Sequence, residues 1–241
     1  RSLATVELFE GQRRSFTDRA SEALHLSERA RITFDALGLE DEAAKAGNAH
    51  AVALSYLDRD EEAVEEFRRI LPVLAKHERW NAYVAALNGL GACLTALGRI
   101  EEARREYASA LRLVGRQVRP AVHAFVRANL ARTLFEGGRF ADAARAFDEA
   151  AQHFATQGAR ADELTLRLLR VEALARAGAS PQARSEAAGL AAVVRSLGAA
   201  DPELLESLEA ALRSDLPDVD LVETLRTRAQ EQISERLRRV G

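Results

Sequence analysis

"LGRIEEARREYASAL", residues Leu97–Leu111, returns 40 residues later as "GGRFADAARAFDEAA", residues Gly137–Ala151. The register extends in both directions. Gly98, Gly138 and Gly178 stand 40 apart, and the same step backwards reaches Asp58 and Asp18, residue types that end helices and begin turns. Five residues after each comes an alanine: Ala23, Ala63, Ala103, Ala143 and Ala183. Four further on lie Ser27, Phe67, Tyr107, Phe147 and Ala187, with an aromatic ring in the three middle copies. Ala30, Ile70, Ala110, Ala150 and Leu190 follow, and upstream of the turn Leu90-Gly91 and Leu130-Ala131 continue the pattern. Self-similarity at such a period marks an architecture of stacked repeats.

Within each copy, apolar and small residues recur at steps of three and four on both sides of the turn, as in the stripe Ala103, Tyr107, Ala110 and Val114. Each copy therefore reads as two helices, and since a lone pair cannot bury both apolar faces, neighbouring copies must stack. The turns place the pairs at 3–15 with 18–36, 41–57 with 60–76, 79–97 with 100–115, 119–137 with 140–157, and 160–177 with 180–197. Pro120, Pro181 and Pro202 suit first helical turns, with Ser180 and Asp201 as N-caps. Pro72 sits inside its helix and predicts a kink or an end there. Beyond Gly198 the register fails. A short helix from Pro202 and a longer one over 219–239 remain, the latter with Val222, Leu225, Ala229, Ile233 and Leu237 on one stripe. The expected division is an array over 1–200, with repeats at 1–40, 41–78, 79–118, 119–158 and 159–200, closed by C-terminal capping helices over 201–241.

Composition agrees. Nearly half the 241 residues are apolar and few are aromatic, which suits helices packed through small side chains. The formal net charge is −3 with acids and bases interspersed, so no sustained field favours nucleic acid or an anionic membrane. One cysteine, Cys93, excludes an internal disulfide framework and fits a reducing compartment, and no leader or membrane-length apolar run is seen, so a cytoplasmic location is expected. The chain has no Met and opens on Arg1, which reads as a segment of a longer protein.

The pattern Leu87, Leu90-Gly91, Leu94, Gly98, Ala103, Tyr107, Ala110 resembles the tetratricopeptide repeat, with Leu87 and Leu94 where a Trp and a Tyr are common. The resemblance runs over 1–200, is strongest over 41–157, and weakens where Arg170 and Ala187 replace larger apolar residues. The period exceeds the commonest 34 residues of that family, so longer helices are expected. It implies an all-α, right-handed superhelical solenoid of five antiparallel helix pairs. The first helix of each pair would line a concave face that holds a peptide or partner segment.

Carried onto this sequence, the inner columns are Lys45, Ala85, Phe125 and Thr165; Asn48, Asn88, Ala128 and Leu168; Val52, Ala92, Arg132 and Glu172; and Tyr56, Ala96, Glu136 and Arg176. The third repeat is hollow, with small residues between Tyr56 on one side and Phe125 and Phe135 on the other. Candidate binding residues are Lys45, Asn48, Tyr56, Asn88, Phe125, Asn129, Arg132 and Phe135. Asn48 and Asn88 are equivalent, with Asn129 one position off register, and a side-chain amide can pair with both N–H and C=O of an extended chain. The alternatives are that these amides bond within their own stack, and that Arg132 with Glu172, and Glu136 with Arg176, bridge neighbouring helices.

Catalytic motifs do not emerge. Gly89-Leu90-Gly91 lies within a helical repeat and lacks the third glycine of a dinucleotide loop. His25, His50, His77, His123 and His153 show no helical metal spacing, and the acidic runs fall at helix starts, where they favour the dipole. Cys93 reads as a packing residue. Trp80 reads as an anchor between repeats. The expected function is a non-catalytic interaction scaffold, its oligomeric state open with a monomer favoured, without cofactor or metal, similar to arrays in bacterial multidomain regulators. A signalling-peptide sensor that controls a transcriptional regulator and a self-associating module are the alternatives.

Overall fold

The computed structural model describes the backbone of residues 2–113, 120–196, 198, 200–213 and 217–238, and their side chains except those of 2–18, 120, 121, 202 and 236–238. Among the described residues every regular element is an α-helix: α1 (Ser2–Ala36), α2 (Glu40–Tyr56), α3 (Asp60–Lys76), α4 (Trp80–Ala96), α5 (Ile100–Leu111), α6 (Pro120–Glu136), α7 (Phe140–Thr156), α8 (Arg160–Arg176), α9 (Ser180–Ser196), α10 (Pro202–Ala211) and α11 (Val219–Arg238). Seven of these, α2, α3, α4, α6, α7, α8 and α9, have 17 residues. A 17-residue helix and a three-residue turn make a half-repeat of 20, and two of these give the 40-residue period.

The turns share one geometry. In the turn from α2 to α3, the Arg59 N–H donates to the Leu54 carbonyl at 3.1 Å and the Asp58 N–H to the Ser55 carbonyl at 3.2 Å. That double closure is a Schellman motif, which needs a left-handed residue in the middle. Asp58, at φ 57°, supplies it here, and Gly98, Gly138 and Gly178 do so at the equivalent places. The residue that closes one helix then starts the next: the Arg59 carbonyl accepts from Ala63, Arg99 from Ala103 and Arg139 from Ala143. Arg59 and Arg99 each grip the acid three residues on, Glu62 and Glu102, through two hydrogen bonds of 2.6–2.7 Å. The alanine ladder of the sequence is thus the fourth residue of each second helix.

A second ladder, 20 residues out of phase, joins one repeat to the next. Gly38, Gly158 and Gly198 hold its left-handed positions, while Glu78 takes the same conformation at φ 53° between α3 and α4. A side chain with a Cβ is strained there, so Glu78→Gly is expected to raise stability by about 1 kcal/mol. Urea denaturation of the two chains measures it.

Packing explains the repeated small and aromatic sites. Ala63, Ala103, Ala143 and Ala183 are fully buried, as are Phe67 and Phe147, and Tyr107 nearly so. Helix α4 lies between two of these rings. A Cβ on Gly89 would stand 2.3 Å from the Phe67 ring of α3, and one on Gly91 would stand 2.6 Å from the Tyr107 ring of α5. The Gly89-Leu90-Gly91 run is therefore a seat for two rings.

The chain forms two compact units, residues 1–123 and 124–241, with α6 beginning in the first and lying mostly in the second. In the second, Phe147, Phe154, Ala143 and Ala151 of α7 pack with Leu166 and Ala173 of α8. Leu164, Leu168, Val171 and Ala175 of α8 and the inner face of α9 share another core with Leu205, Leu208 and Leu212, and with Val222, Leu225, Ala229 and Ile233 of α11. Asp201 caps α10 by accepting from the Glu203 N–H at 3.1 Å, as expected for that residue.

Three expectations need adjustment. The first pair, at 3–15 and 18–36, is a single helix, α1, of 35 residues. No glycine or proline stands between Gly11 and Gly38, so nothing in the local chemistry interrupts it. Pro72 does not end α3, which runs on to Lys76; Pro72 faces solvent, where water can satisfy the carbonyl that loses its donor. The second helix of the third pair ends at Leu111, and Val114 lies outside the described residues, as does Leu237 as a side chain.

Candidate functional site

In the first unit, Lys45, Asn48, Val52 and Tyr56 follow one another along one side of α2, and Ala85, Asn88, Ala92 and Ala96 along the same side of α4. Tyr56 is 68% exposed and Val52 36%, and Ala92 and Ala96 are open. Lys45 pairs with Glu42 at 2.6 Å. Asn48 is half-buried, and its Oδ1 is buried with no hydrogen-bond partner. Asn88 is also half-buried but already interacts within the chain.

In the second unit, Phe125 is 52% exposed with its edge against Phe154, and Arg132 and Glu136 face solvent. Asn129 is half-buried and already interacts within the chain. Phe135 is committed to packing: Phe140 lies 5.2 Å away edge-on, and the Arg176 guanidinium sits 5.6 Å over its ring.

Helix α8 departs from this pattern. Leu168 is fully buried and Glu172 is 1% exposed, whereas their counterparts on α2 and α4, Asn48 and Asn88, and Val52 and Ala92, are half-buried or open. The cover is α11. Arg226 donates from Nε to Glu172 at 2.6 Å, and Arg176 bridges Glu172 at 2.8 Å and Glu223 at 2.5 Å. Ordinary stacking does not do this, because α4 packs beside α2 and still leaves Val52 and Tyr56 exposed. Helix α11 therefore lies over the side of α8 that the other first helices leave free. The alternative that Arg132 bridges to Glu172, and Glu136 to Arg176, does not hold among the described residues: the two α8 charges pair with each other and with α11. Sequence reasoning missed Arg226 and Glu223 because they lie outside the 40-residue register.

A family model for the tetratricopeptide repeat matches residues 82–156. Over that stretch the helix pairs match the tetratricopeptide repeat. No curated protein matches the chain in sequence. Among solved structures, a point variant of a Podosopora anserina protein assigned as a kinesin light chain, with nearly identical repeats of this type, is 16% identical. That comparison has a TM-score of 0.64 and covers 79% of this chain and 94% of that one. The unsubstituted protein gives 0.62 at 16% identity, over 77% and 93%. A Rap protein complexed with competence and sporulation factor gives 0.63 at 13% identity over 95% of this chain, which spans 63% of the Rap chain. These likenesses show the fold.

The helix pairs hold the chain's one cysteine inert. Cys93 is 2% exposed on α4, and burial, followed by Asp60, pushes its thiol up to about 12. The thiol of the folded chain is expected not to react with Ellman's reagent at pH 8, and to react fully in urea. In an unfolded chain it would ionise near pH 9, so it binds more protons folded than unfolded, and stability falls as pH rises from about 9 towards 12. At the helix starts Lys76, with His77, holds Glu40 below the usual carboxylate range, and Arg79 does the same for Asp41. Among the described residues no three His, Cys, Asp or Glu side chains converge as a metal would require, and no helix is long and apolar enough to cross a membrane.

Proposed function

We propose that this chain is a non-catalytic scaffold whose first helices dock a peptide or segment of a partner protein. The observation that carries this reading is α11. At α8 the side of the first helix already accepts an amphipathic helix, seated by Val222, Leu225, Ala229 and Ile233 and anchored by Arg226 on Glu172. The same sides of α2 and α4 are open and bear Tyr56, Val52, Lys45 and the two asparagines. Phe125, Asn129, Arg132 and Phe135 belong to the corresponding side of α6. Exposed Tyr and Arg are the residue types that anchor interfaces, and an amide serves an extended backbone without reading its sequence. On this reading residues 1–200 form the working array, α10 and α11 close its end, and the whole acts inside a larger bacterial regulatory protein in the cytoplasm.

A second reading, that a signalling factor is sensed by the array and passed to a transcriptional regulator, is favoured by the likeness to the Rap protein complexed with competence and sporulation factor.

Selection from a displayed peptide library against the full chain, followed by calorimetry, tests the proposal. Tyr56→Ala is expected to weaken the selected ligand by about 1–3 kcal/mol without changing the melting temperature, and Asn88→Ala to weaken it as well. Unchanged affinity in both would remove the ligand from this face.

A further inference from the structure

A cavity of about 290 Å³ opens beside the start of α4, lined by Lys45, Glu78, Arg79, Trp80, Asn81 and Ala82. Its cations are already matched: Lys45 with Glu42, and Arg79 with Asp41. Nearby, Lys76 and His77 share Glu40. The exposed Glu78 carboxylate, by contrast, makes no hydrogen bond or ion pair among the described residues. It is also the residue held at φ 53° where Gly38, Gly158 and Gly198 occupy the equivalent turns. A charged side chain thus stands where glycine would relieve strain, and strain retained in this way points to a use for the side chain. Beside it is Trp80, whose edge-on contact with Tyr83, at 6.0 Å between centroids, orients the indole.

We infer that this cavity receives a basic side chain of a protein partner, an arginine, whose guanidinium pairs with Glu78 and stacks on Trp80. The charge complement selects a cation, because the lining cations are spoken for and one carboxylate is not. Guanidinium is preferred to ammonium because it is planar, donates to a carboxylate through two parallel N–H groups and stacks on an aromatic face. A metal ion would need further carboxylates or imidazoles in the lining. The inference rests on the proposed docking face in one respect, since Lys45 belongs to both, and it names the side-chain chemistry expected at that end of the partner.

Trp80 is the only tryptophan, so its fluorescence and its indole N–H resonance report on this cavity alone. The full chain is titrated with acetyl-Gly-Arg-Gly-amide and, separately, with acetyl-Gly-Gln-Gly-amide. A saturable response to the arginine peptide, at least tenfold weaker with the glutamine peptide and at least tenfold weaker for Glu78→Gln, is expected. Glu78→Gly should lose the response while the chain becomes more stable, which separates the site from the fold. No saturable response at millimolar peptide, an equal response to both peptides, or a response that survives Glu78→Gln would each overturn the inference. A failure of the docking reading shows elsewhere, as partner affinity indifferent to Tyr56→Ala and Asn88→Ala, and leaves the tripeptide result standing.

Discussion

Glu172→Leu is expected to destabilise the second unit by about 3 kcal/mol, the cost of leaving a half-buried guanidinium without its carboxylate. Glu172 is 2% exposed as a side chain and Arg226 12%, so little water reaches either, and the 2.6 Å contact joins α8 to α11. Gln230 and Thr227 still accept from Arg226, and Glu223 still holds Arg176, which keeps the loss at the lower end of the range for broken buried pairs. The double substitution Glu172→Leu with Arg226→Leu removes both charges and is expected to return to within about 1 kcal/mol of the starting stability. Urea denaturation gives the energies, and hydrogen exchange shows where they act: the single variant should lose protection first in α11. A loss under about 0.5 kcal/mol in the single variant would mean that the apolar stripe alone seats the helix.

Gly89→Ala is expected to cost about 2 kcal/mol, although alanine is the better helix former by about 1 kcal/mol. The new Cβ would fall 2.3 Å from one Phe67 ring carbon and 2.9–3.0 Å from two others, and the ring is fully buried. The ring must move or α4 must lift from α3. Phe67→Leu in the Gly89→Ala background should recover part of the loss by vacating the contested space, whereas Phe67→Leu alone should destabilise by about 1 kcal/mol. Strict additivity of the two would show that the residues do not meet. Gly91→Ala tests the same principle against Tyr107, at 2.6–2.9 Å.

Much of the second-helix core was legible before any coordinates, because each site is repeated. Ala63, Ala103, Ala143 and Ala183 are fully buried at the same place in every copy, so their periodicity records a packing rule. The candidate site was only partly legible. Tyr56, Phe125 and Arg132 are exposed as a binding face requires, while Phe135 is taken up by Phe140 and Arg176. Asn88 and Asn129 show why a column of like residues does not reveal its own partners: an amide at a given position bonds whatever donor or acceptor the neighbouring helix presents, and both are engaged within the chain.

The sequence by itself determined the all-helical class, the 40-residue period, the turns at Asp58, Gly98, Gly138 and Gly178, and the small and aromatic sites between them. These follow from short-range chemistry: helical spacing of apolar residues, and a left-handed residue after each helix. Tertiary structure alone decided the rest: α1 as one helix without a turn at Asp18, the two rings seated on Gly89 and Gly91, and the laying of α11 along α8 with Arg226 on Glu172. The stripe of Val222, Leu225, Ala229 and Ile233 shows that one face of α11 must be buried, but a stripe carries no information about what buries it. That choice is made by burial and charge pairing between segments some 50 residues apart, and no local pattern encodes it.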